Sequence, residues 1–320
     1  MTSWEHVRIG SLFSGYGGLD LAVLRALRGS SIAWHCEIDD APAKILEHHW
    51  PEVPNHRDVT TIDFTTIDPV DVLTGGYPCQ PFSKSGQRKG AHDERHLWPY
   101  VRQAIRGIRP RVTFLENVAG HRSLGFDRVL GDLAEDGLDV RWTSVRASDV
   151  GAPHERDRVF ILATYPESGR SSRDDGLSGR SAARGGGERF TRRGGRDRAA
   201  ADAEGTRSRG LSGRAGSPDA GPRGDHALLP DDAQDWGKYG NAIRRWERVT
   251  RPAPAPTELN ANGKPRLAAA FSEWMMGLPE GHVTAVPGVQ YKHQLKALGN
   301  GVVPQAAQAA LEVLLDGIAV

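Results

Sequence analysis

The chain has 320 residues, of which 38% are hydrophobic and 25% charged, with a formal net charge of +1. This length can bury the cores of one large or two ordinary domains, and we expect two. No apolar run approaches the ~18 residues that a bilayer span requires, so a membrane protein is excluded. The charge balance also disfavours a protein that coats DNA, although a focused basic groove remains compatible with it.

The cysteine content indicates a reduced compartment. Cys36 and Cys79 are too few for a disulfide framework and cannot alone form a structural zinc site. The N-terminal residues lack a basic region followed by an apolar stretch, so no secretory signal is predicted. We therefore expect a cytoplasmic protein that holds no metal. We also expect a monomer.

Short apolar runs alternate with helical patterns from residue 7 to residue 163, which is typical of βαβ units around a parallel sheet. One predicted helix carries the apolar stripe Leu19–Leu27, and another begins close to Pro42 and runs towards Trp50. The predicted strands are Val7–Phe13, Ser31–Ile38, Val70–Leu73, Val112–Glu116, Val140–Arg146 and Arg158–Ala163.

Residues 166–224 interrupt this pattern with 13 arginines, no lysine, eight acids and 14 glycines. Their large apolar residues are Leu177, Phe190 and Leu211, too few to offset the entropy of ordering the stretch. We predict a disordered or loose surface insertion, either a solvated linker or an arginine-rich arm that contacts phosphates.

Helical spacing returns with Trp236, Tyr239, Ile243 and Trp246. A short buried helix is then predicted over Phe271–Leu278. The last helix is predicted from Pro304 to about Asp316, because proline favours the first helical position and Gly317 follows the end.

The segment Ser14–Gly18 contains Gly15, Gly17 and Gly18 between a predicted strand and a predicted helix, where glycines permit a tight turn and close approach of a ligand. Such a turn occurs in many nucleotide-binding α/β proteins and also without a ligand. Glu37 and Asp58 follow the next apolar stretches and can accept hydrogen bonds from ribose hydroxyls and an adenine amino group, or can simply cap helices.

The segment Gly75–Ser83, with the sequence Gly-Gly-Tyr-Pro-Cys-Gln-Pro-Phe-Ser, is the most specific in the chain. Cys36 lies inside an apolar strand and suits an inert buried residue. Cys79 instead opens a loop at the carboxyl edge of the sheet, with a proline on either side of Cys-Gln that presents it rigidly. A nucleophilic role requires the thiolate, so nearby positive charge or helix dipoles must lower its pKa from ~8.5.

Further polar residues are expected at the same edge of the sheet. Glu116 and Asn117 end the next predicted strand, which brings a carboxyl group towards Cys79. Arg156 and Arg158 precede the final strand in alternation, so both side chains should project to one side.

Taken together, these motifs resemble those of the DNA (cytosine-5) methyltransferase family over nearly the whole chain outside 166–250. The glycine turn, Pro-Cys-Gln, Glu-Asn-Val and the paired arginines occur in the family's order. Gly299–Pro304 resembles the family's C-terminal motif, and Arg266–Pro279 is loosely similar to the motif that scaffolds target recognition. The chain departs from the family at His154, where glutamine is usual, and in a loop before Leu97 that is one residue shorter.

The resemblance implies an α/β fold, a Rossmann-like S-adenosylmethionine-dependent methyltransferase core with a mostly parallel sheet, plus a smaller target-recognition domain. It implies a catalytic domain over 1–165 and 287–320, and a recognition domain over 166–286 that contains the 166–224 insertion. Double-stranded DNA is the implied partner. The implied S-adenosyl-L-methionine site comprises Phe13, Ser14, Gly15, Gly17, Gly18, Glu37, Ile38, Asp58, Val59, Gly76, Pro78, Leu97, Asn300 and Gly301.

The implied reaction begins with a cytosine flipped out of the duplex. Cys79 adds to carbon 6, Glu116 protonates or hydrogen-bonds ring nitrogen 3, and carbon 5 takes the methyl group. Asn117 holds the active-site loop, and Arg156 and Arg158 stabilise charge around Glu116. The implied DNA contacts are Gln80, Ser83 and Ser85, with Ser85 entering the gap left by the base.

Three alternatives remain open. An RNA cytosine-5 methyltransferase would share the active site, although the Cys-Phe-Thr segment of the relative that acts on transfer RNA is not found. A catalytically silent DNA-binding protein would have no need of Cys79, Glu116 and Arg158 together. A dinucleotide-dependent oxidoreductase leaves the Pro-Cys-Gln loop unexplained.

Overall fold

One six-stranded sheet organises the computed structural model, which describes residues 6–78, 97–166 and 236–318. The strand order is β2-β1-β3-β4-β6-β5, in which β6 runs antiparallel to both neighbours and the other pairs are parallel. The prediction of a mostly parallel α/β sheet is confirmed. The strands are β1 Arg8–Leu12, β2 Ser31–Cys36, β3 Val72–Gly75, β4 Val112–Val118, β5 Asp139–Arg146 and β6 Asp157–Thr164.

Helices connect the strands and complete the chain, and a two-stranded antiparallel hairpin, β7 Thr257–Leu259 and β8 Pro265–Leu267, precedes the last three of them. The helices are α1 Gly18–Ala26, α2 Asp40–His49, α3 Trp98–Ile108, α4 Phe126–Glu135, α5 Gly240–Val249, α6 Ala269–Met275, α7 Tyr291–Asn300 and α8 Pro304–Leu315. No helix in the described parts of the chain combines the length and the apolar character that crossing a membrane requires.

The sheet is covered on both faces because its strands alternate apolar side chains between two cores. In β4, Phe114 faces the core formed with α1 and α8, and Leu115 faces the core formed with α3 and α4. Val72 and Leu73 of β3 divide in the same way. This double coverage leaves the carboxyl ends of the parallel strands as the open edge.

A third core lies at that open edge and joins the C-terminal helices to the glycine turn. It contains Tyr16, Trp246 and Trp274, all fully buried. The indole nitrogen of Trp246 donates to the carbonyl oxygen of Trp274 at 2.9 Å. The described residues therefore form one compact unit, and the boundary at residue 286 between catalytic and recognition domains stays a prediction.

The predicted strand boundaries differ from the observed ones by up to two residues at either end. β3 is Val72–Gly75 rather than Val70–Leu73, and just before it the Asp71 carboxylate accepts from the backbone amide of Arg8, where β1 begins. We expected Arg156 and Arg158 to project to the same side, as alternate residues of a strand do. This prediction is wrong, because Arg156 lies before β6 and its φ of 33° is outside the β region.

Candidate active site

A cavity of about 1120 Å³ opens at the carboxyl ends of β1 to β4. Most residues of the predicted cofactor and catalytic sets line it, although they come from segments far apart in the chain. The exceptions among the described ones are Gly17 and Arg156. The predicted residues in its wall are Phe13, Ser14, Gly15, Gly18, Glu37, Ile38, Asp58, Val59, Gly76, Pro78, Leu97, Glu116, Asn117, Arg158, Asn300 and Gly301.

The glycine turn is shaped by left-handed backbone and by close packing. Gly15 and Gly17 have φ values of 56° and 82°, which glycine adopts without steric cost. A Cβ at Gly17 would lie 2.8 Å from the Trp50 ring, and one at Gly18 would lie 2.6 Å from the carbonyl oxygen of Val302. Gly17 thus shapes the turn from behind the cavity wall.

Glu37 connects the end of β2 to the glycine turn. Its carboxylate accepts from the backbone amides of Gly15 and Asp39, both at 2.8 Å. Burial raises the pKa of Glu37, and the two amide bonds partly offset that shift. The carboxylate is therefore held rigidly in the cavity wall.

Asp58 also lies in the cavity wall, where it begins a short 3-10 turn. One carboxylate oxygen accepts from the amide and the hydroxyl of Thr60, at 2.9 and 2.8 Å. These bonds lower the pKa of Asp58 and keep the carboxylate ionised. The turn orients Asp58 before any ligand arrives.

A buried carboxylate beneath the cavity was missed by the sequence analysis. Asp20 of α1 is fully buried and accepts from the hydroxyls of Ser11 at 2.8 Å and Thr74 at 2.6 Å, both of which line the cavity. Desolvation raises the pKa of Asp20. The only sequence signal was an acid among the apolar residues that begin α1, so only the fold reveals that Asp20 ties β1 to β3.

The C-terminal motif closes the cavity against the glycine turn. The Tyr16 hydroxyl donates to the carbonyl oxygen of Val302 at 2.6 Å. Across the mouth, Lys296 of α7 pairs with Asp39 at 2.6 Å. Asn300 and Gly301 thus lie in the cavity wall, as expected. The contacts of Tyr16 and Lys296 were not identified from the sequence.

Glu116 and Arg158 form an ion pair in the wall, between Nε of Arg158 and a Glu116 carboxylate oxygen at 2.8 Å. Glu116 is buried, with 8% of its surface exposed. Burial raises the pKa of Glu116, and Arg158 followed by Arg156 partly offsets that shift. A carboxyl group in this environment can exist in protonated form closer to neutral pH than a free one can.

Asn117 fixes the chain that leads to Cys79. Its side-chain amide donates to the carbonyl oxygen of Tyr77 at 3.0 Å. The Tyr77 hydroxyl contacts Nε2 of His121 at 2.8 Å, so Tyr77 is held through both its backbone and its side chain. Cys79 and the predicted DNA contacts Gln80, Ser83 and Ser85 lie outside the described residues.

Arg156 contacts the C-terminal motif rather than the cavity. Its guanidinium donates to the carbonyl oxygens of Gly299 and Gly301. His154, two residues earlier, contacts the carbonyl oxygen of Met275 at the end of α6 at 2.9 Å. Both residues therefore tie the loop before β6 to the C-terminal region.

Residues 7–176 match the family model of the C-5 cytosine-specific DNA methylases. The chain belongs to this family. Among curated methylases, a type II methyltransferase of Bacillus subtilis, M.BsuFI, is 32% identical over 163 residues, which cover 49% of this chain and 39% of that protein. M.HhaI of Haemophilus parahaemolyticus is 32% identical over 162 residues, covering 49% of this chain and 48% of that one. The match spans less than half of each relative.

The fold of this chain also resembles solved structures. The Dnmt2 methyltransferase of S. pombe superimposes with a TM-score of 0.62 over 98% of this chain and all of that chain, at 15% identity. An Entamoeba histolytica methyltransferase, EhMeth, gives 0.59 at 16% identity over 98% of each chain. At such identities the likeness supports the methyltransferase fold alone.

Proposed function

We propose that the chain transfers a methyl group from S-adenosyl-L-methionine to carbon 5 of a flipped-out cytosine in a specific duplex DNA sequence, through a covalent adduct with Cys79. The observation that carries the proposal is the buried Glu116–Arg158 pair in the wall of a cavity that Pro78, the residue before Cys79, also lines. The wall of one cavity thus holds a carboxyl group, its counter-ion and the residue that precedes the proposed nucleophile.

The cavity residues fit the proposed cofactor. Its volume exceeds what a drug-sized ligand needs, so it has room for a nucleoside and a base together. Glu37 offers a rigid carboxylate for ribose hydroxyls and Asp58 one for an adenine amino group. The remaining contacts would come from the other predicted cofactor residues of the wall. When bound, S-adenosylmethionine supplies an electrophilic methyl group.

Glu116 is suited to hold a proton at ring nitrogen 3 of cytosine. Its raised pKa favours the protonated carboxyl that such a hydrogen bond requires. Arg158, at 2.8 Å, stabilises the carboxylate left when the proton moves towards the base. Withdrawing charge through nitrogen 3 makes carbon 6 accept a nucleophile.

The thiolate of Cys79 would form the new bond to carbon 6, and the electron pair displaced from the 5,6 double bond would make carbon 5 nucleophilic. Asn117 holds the carbonyl of Tyr77, two residues before Cys79 in the sequence. Once carbon 5 carries the methyl group, loss of its proton to a base and cleavage of the sulfur–carbon 6 bond restore the double bond and the thiolate.

The remaining assignments extend this proposal. Gln80, Ser83 and Ser85 are proposed to contact DNA, and residues 166–286 to carry target recognition. A role in restriction-modification follows from the type II methyltransferases that the chain resembles. A cytoplasmic monomer stays the expected state.

Bisulfite sequencing of DNA from cells that express the chain tests activity and recognition sequence together. We expect one short sequence to be methylated by the wild type and not by Cys79→Ala, with unchanged thermal unfolding. A duplex with 5-fluorocytosine at that site should trap the wild type covalently, because the fluorine that replaces the carbon-5 proton cannot be removed. Methylation that persists in Cys79→Ala contradicts the nucleophile, and methylated RNA with unmethylated DNA contradicts the substrate.

A further inference from the structure

Helix α5 presents a row of cations to solvent. Ile243 and Trp246 bury the opposite side of the helix in the third core. The exposed cations, which we call the α5 basic face, are Lys238, just before the helix, with Arg244, Arg245 and Arg248. The face is held in place because α5 is anchored through its buried tryptophan, which donates to Trp274.

The α5 basic face is not neutralised by acids. Arg244 donates to the side-chain oxygen of Asn241, and Arg245 to the carbonyl oxygen of Gly151, both uncharged partners. The nearest acid in the helix, Glu247, accepts from the amide of Ala253. Within the described ranges, none of the four cations is within ion-pair distance of a carboxylate.

Several other arginines in the described part of the chain are paired with carboxylates, unlike those of the α5 basic face. Arg102 of α3 binds the carboxylates of Asp132, Glu135 and Asp136 at 2.6 to 3.0 Å. The four cations of the α5 basic face form no ion pair that offsets their mutual repulsion, a cost that an anionic partner would remove.

The α5 basic face lies at the catalytic edge of the sheet. Residues 147–156 connect β5 to β6, and β6 begins at the edge where β4 ends, two residues after Glu116. Gly151 of this connection packs against α5, since a Cβ there would lie 3.4 to 3.8 Å from Val249, Arg245 and Trp246. The α5 helix thus packs against the connection that leads directly into β6, which carries Arg158 of the Glu116–Arg158 pair.

We propose that the α5 basic face binds the phosphate backbone of duplex DNA beside the target base, an inference that rests on the proposed function. Phosphates favour arginine, whose planar guanidinium donates several hydrogen bonds to them. Arg244 and Arg248 are one turn apart, about 6 Å along the helix, and contact more than one phosphate. Such contacts position the duplex and read no bases.

The test measures binding of a 30-base-pair duplex of mixed sequence by fluorescence anisotropy between 50 and 300 mM KCl. For each phosphate that is no longer bound, Arg244→Gln/Arg248→Gln should weaken binding by about 8-fold at 0.1 M salt and reduce the log–log salt slope by ~0.9. Arg244→Lys/Arg248→Lys should restore most of the slope, because it restores the charge. Thermal unfolding should not change, since both positions are exposed.

Arg28→Gln/Arg109→Gln is the charge-matched control. Both positions lie just before a strand begins, at the amino edge of the sheet, opposite the cavity. It should bind within 2-fold of the wild type. An equal loss of affinity in control and helix variants, or no loss in either, overturns the proposal.

Methyl transfer to unmethylated genomic DNA distinguishes failure of the proposed function from failure of the α5 assignment. A wild type that binds the duplex but transfers no methyl group contradicts the proposed function. A wild type that transfers methyl groups while Arg244→Gln/Arg248→Gln binds like the control contradicts the α5 assignment alone.

Discussion

The Tyr16 hydroxyl donates a 2.6 Å hydrogen bond to the carbonyl oxygen of Val302, 286 residues further along the chain. The ring of Tyr16 also fills the space in which a side chain at position 301 would stand, since a Cβ on Gly301 would lie 1.9 Å from it. Tyr16 therefore determines both the position of the C-terminal motif and the need for glycine within it.

Tyr16→Phe should weaken S-adenosylmethionine binding by roughly 10-fold, because the buried Val302 carbonyl loses its partner at a cost of about 1–3 kcal/mol. Gly301→Ala should be more damaging in the wild type than in Tyr16→Leu, in which the smaller side chain relieves the clash. Calorimetric titration and thermal unfolding of the wild type, Gly301→Ala, Tyr16→Leu and the double variant measure this coupling. Additive effects would contradict the packing relationship.

Asp58→Ala should weaken cofactor binding by about 10-fold, while Asp63→Ala should leave it unchanged. Asp63 provides a matched control because its carboxylate accepts from the amide and hydroxyl of Thr65 in the same turn geometry, yet it does not line the cavity. A loss of affinity common to both variants would come from losing the turn hydrogen bonds, and the difference between the variants measures the contact of Asp58 with the cofactor. Equal titration curves for the two variants would remove Asp58 from the cofactor site.

Arg158→Gln should lower the rate of methyl transfer by roughly 10²–10³-fold, the usual cost of losing one preorganised charge partner. It should also move the alkaline limb of the rate profile upward. Arg158 lowers the pKa of Glu116 towards its ordinary value, so its removal leaves burial opposed by Arg156 alone and keeps Glu116 protonated to higher pH. Single-turnover rates from pH 6 to 9.5 measure both effects. An alkaline limb that moves downward would contradict the protonated role of Glu116.

The acid stability of the protein should depend on His282. Its Nε2 contacts the carbonyl oxygen of Tyr16 at 2.9 Å, its ring stacks on His49 at 4.0 Å, and burial lowers its pKa to about 4. A histidine depressed in the folded state contributes stability that is complete above the unfolded pKa of ~6.5 and is lost as pH falls towards 4.

His282→Gln keeps a donor for Tyr16 but cannot titrate, so it should flatten this decline. The variant should therefore lose roughly 3 kcal/mol less free energy of unfolding than the wild type between pH 6.5 and 4. Chemical denaturation at a series of pH values measures the difference, with the exposed His6→Gln as control. Parallel curves for wild type and His282→Gln would show that another group causes the decline.

Most strands were predictable because they are short apolar runs that suit burial on both faces of the sheet, although β5 is exposed or half-buried along its length. Glu116 and Asn117 were predictable at the catalytic edge for the same reason, since residues that follow parallel strands share one edge. β3 was misplaced by two residues, and the contact of Asp71 with the backbone of Arg8 at its start joins residues 63 positions apart, which no local pattern records.

The sequence by itself determined the order of the chemical groups along the chain, the α/β class, and the residues that follow each strand, because local periodicity and turn chemistry record these features. Only the tertiary structure decided that Asp20 lies beneath the cavity floor, that Arg156 binds the Gly299 and Gly301 carbonyls, and that Tyr16 meets Val302. Each of these contacts is set by where distant segments pack, and no repeat or spacing within a single segment carries that information.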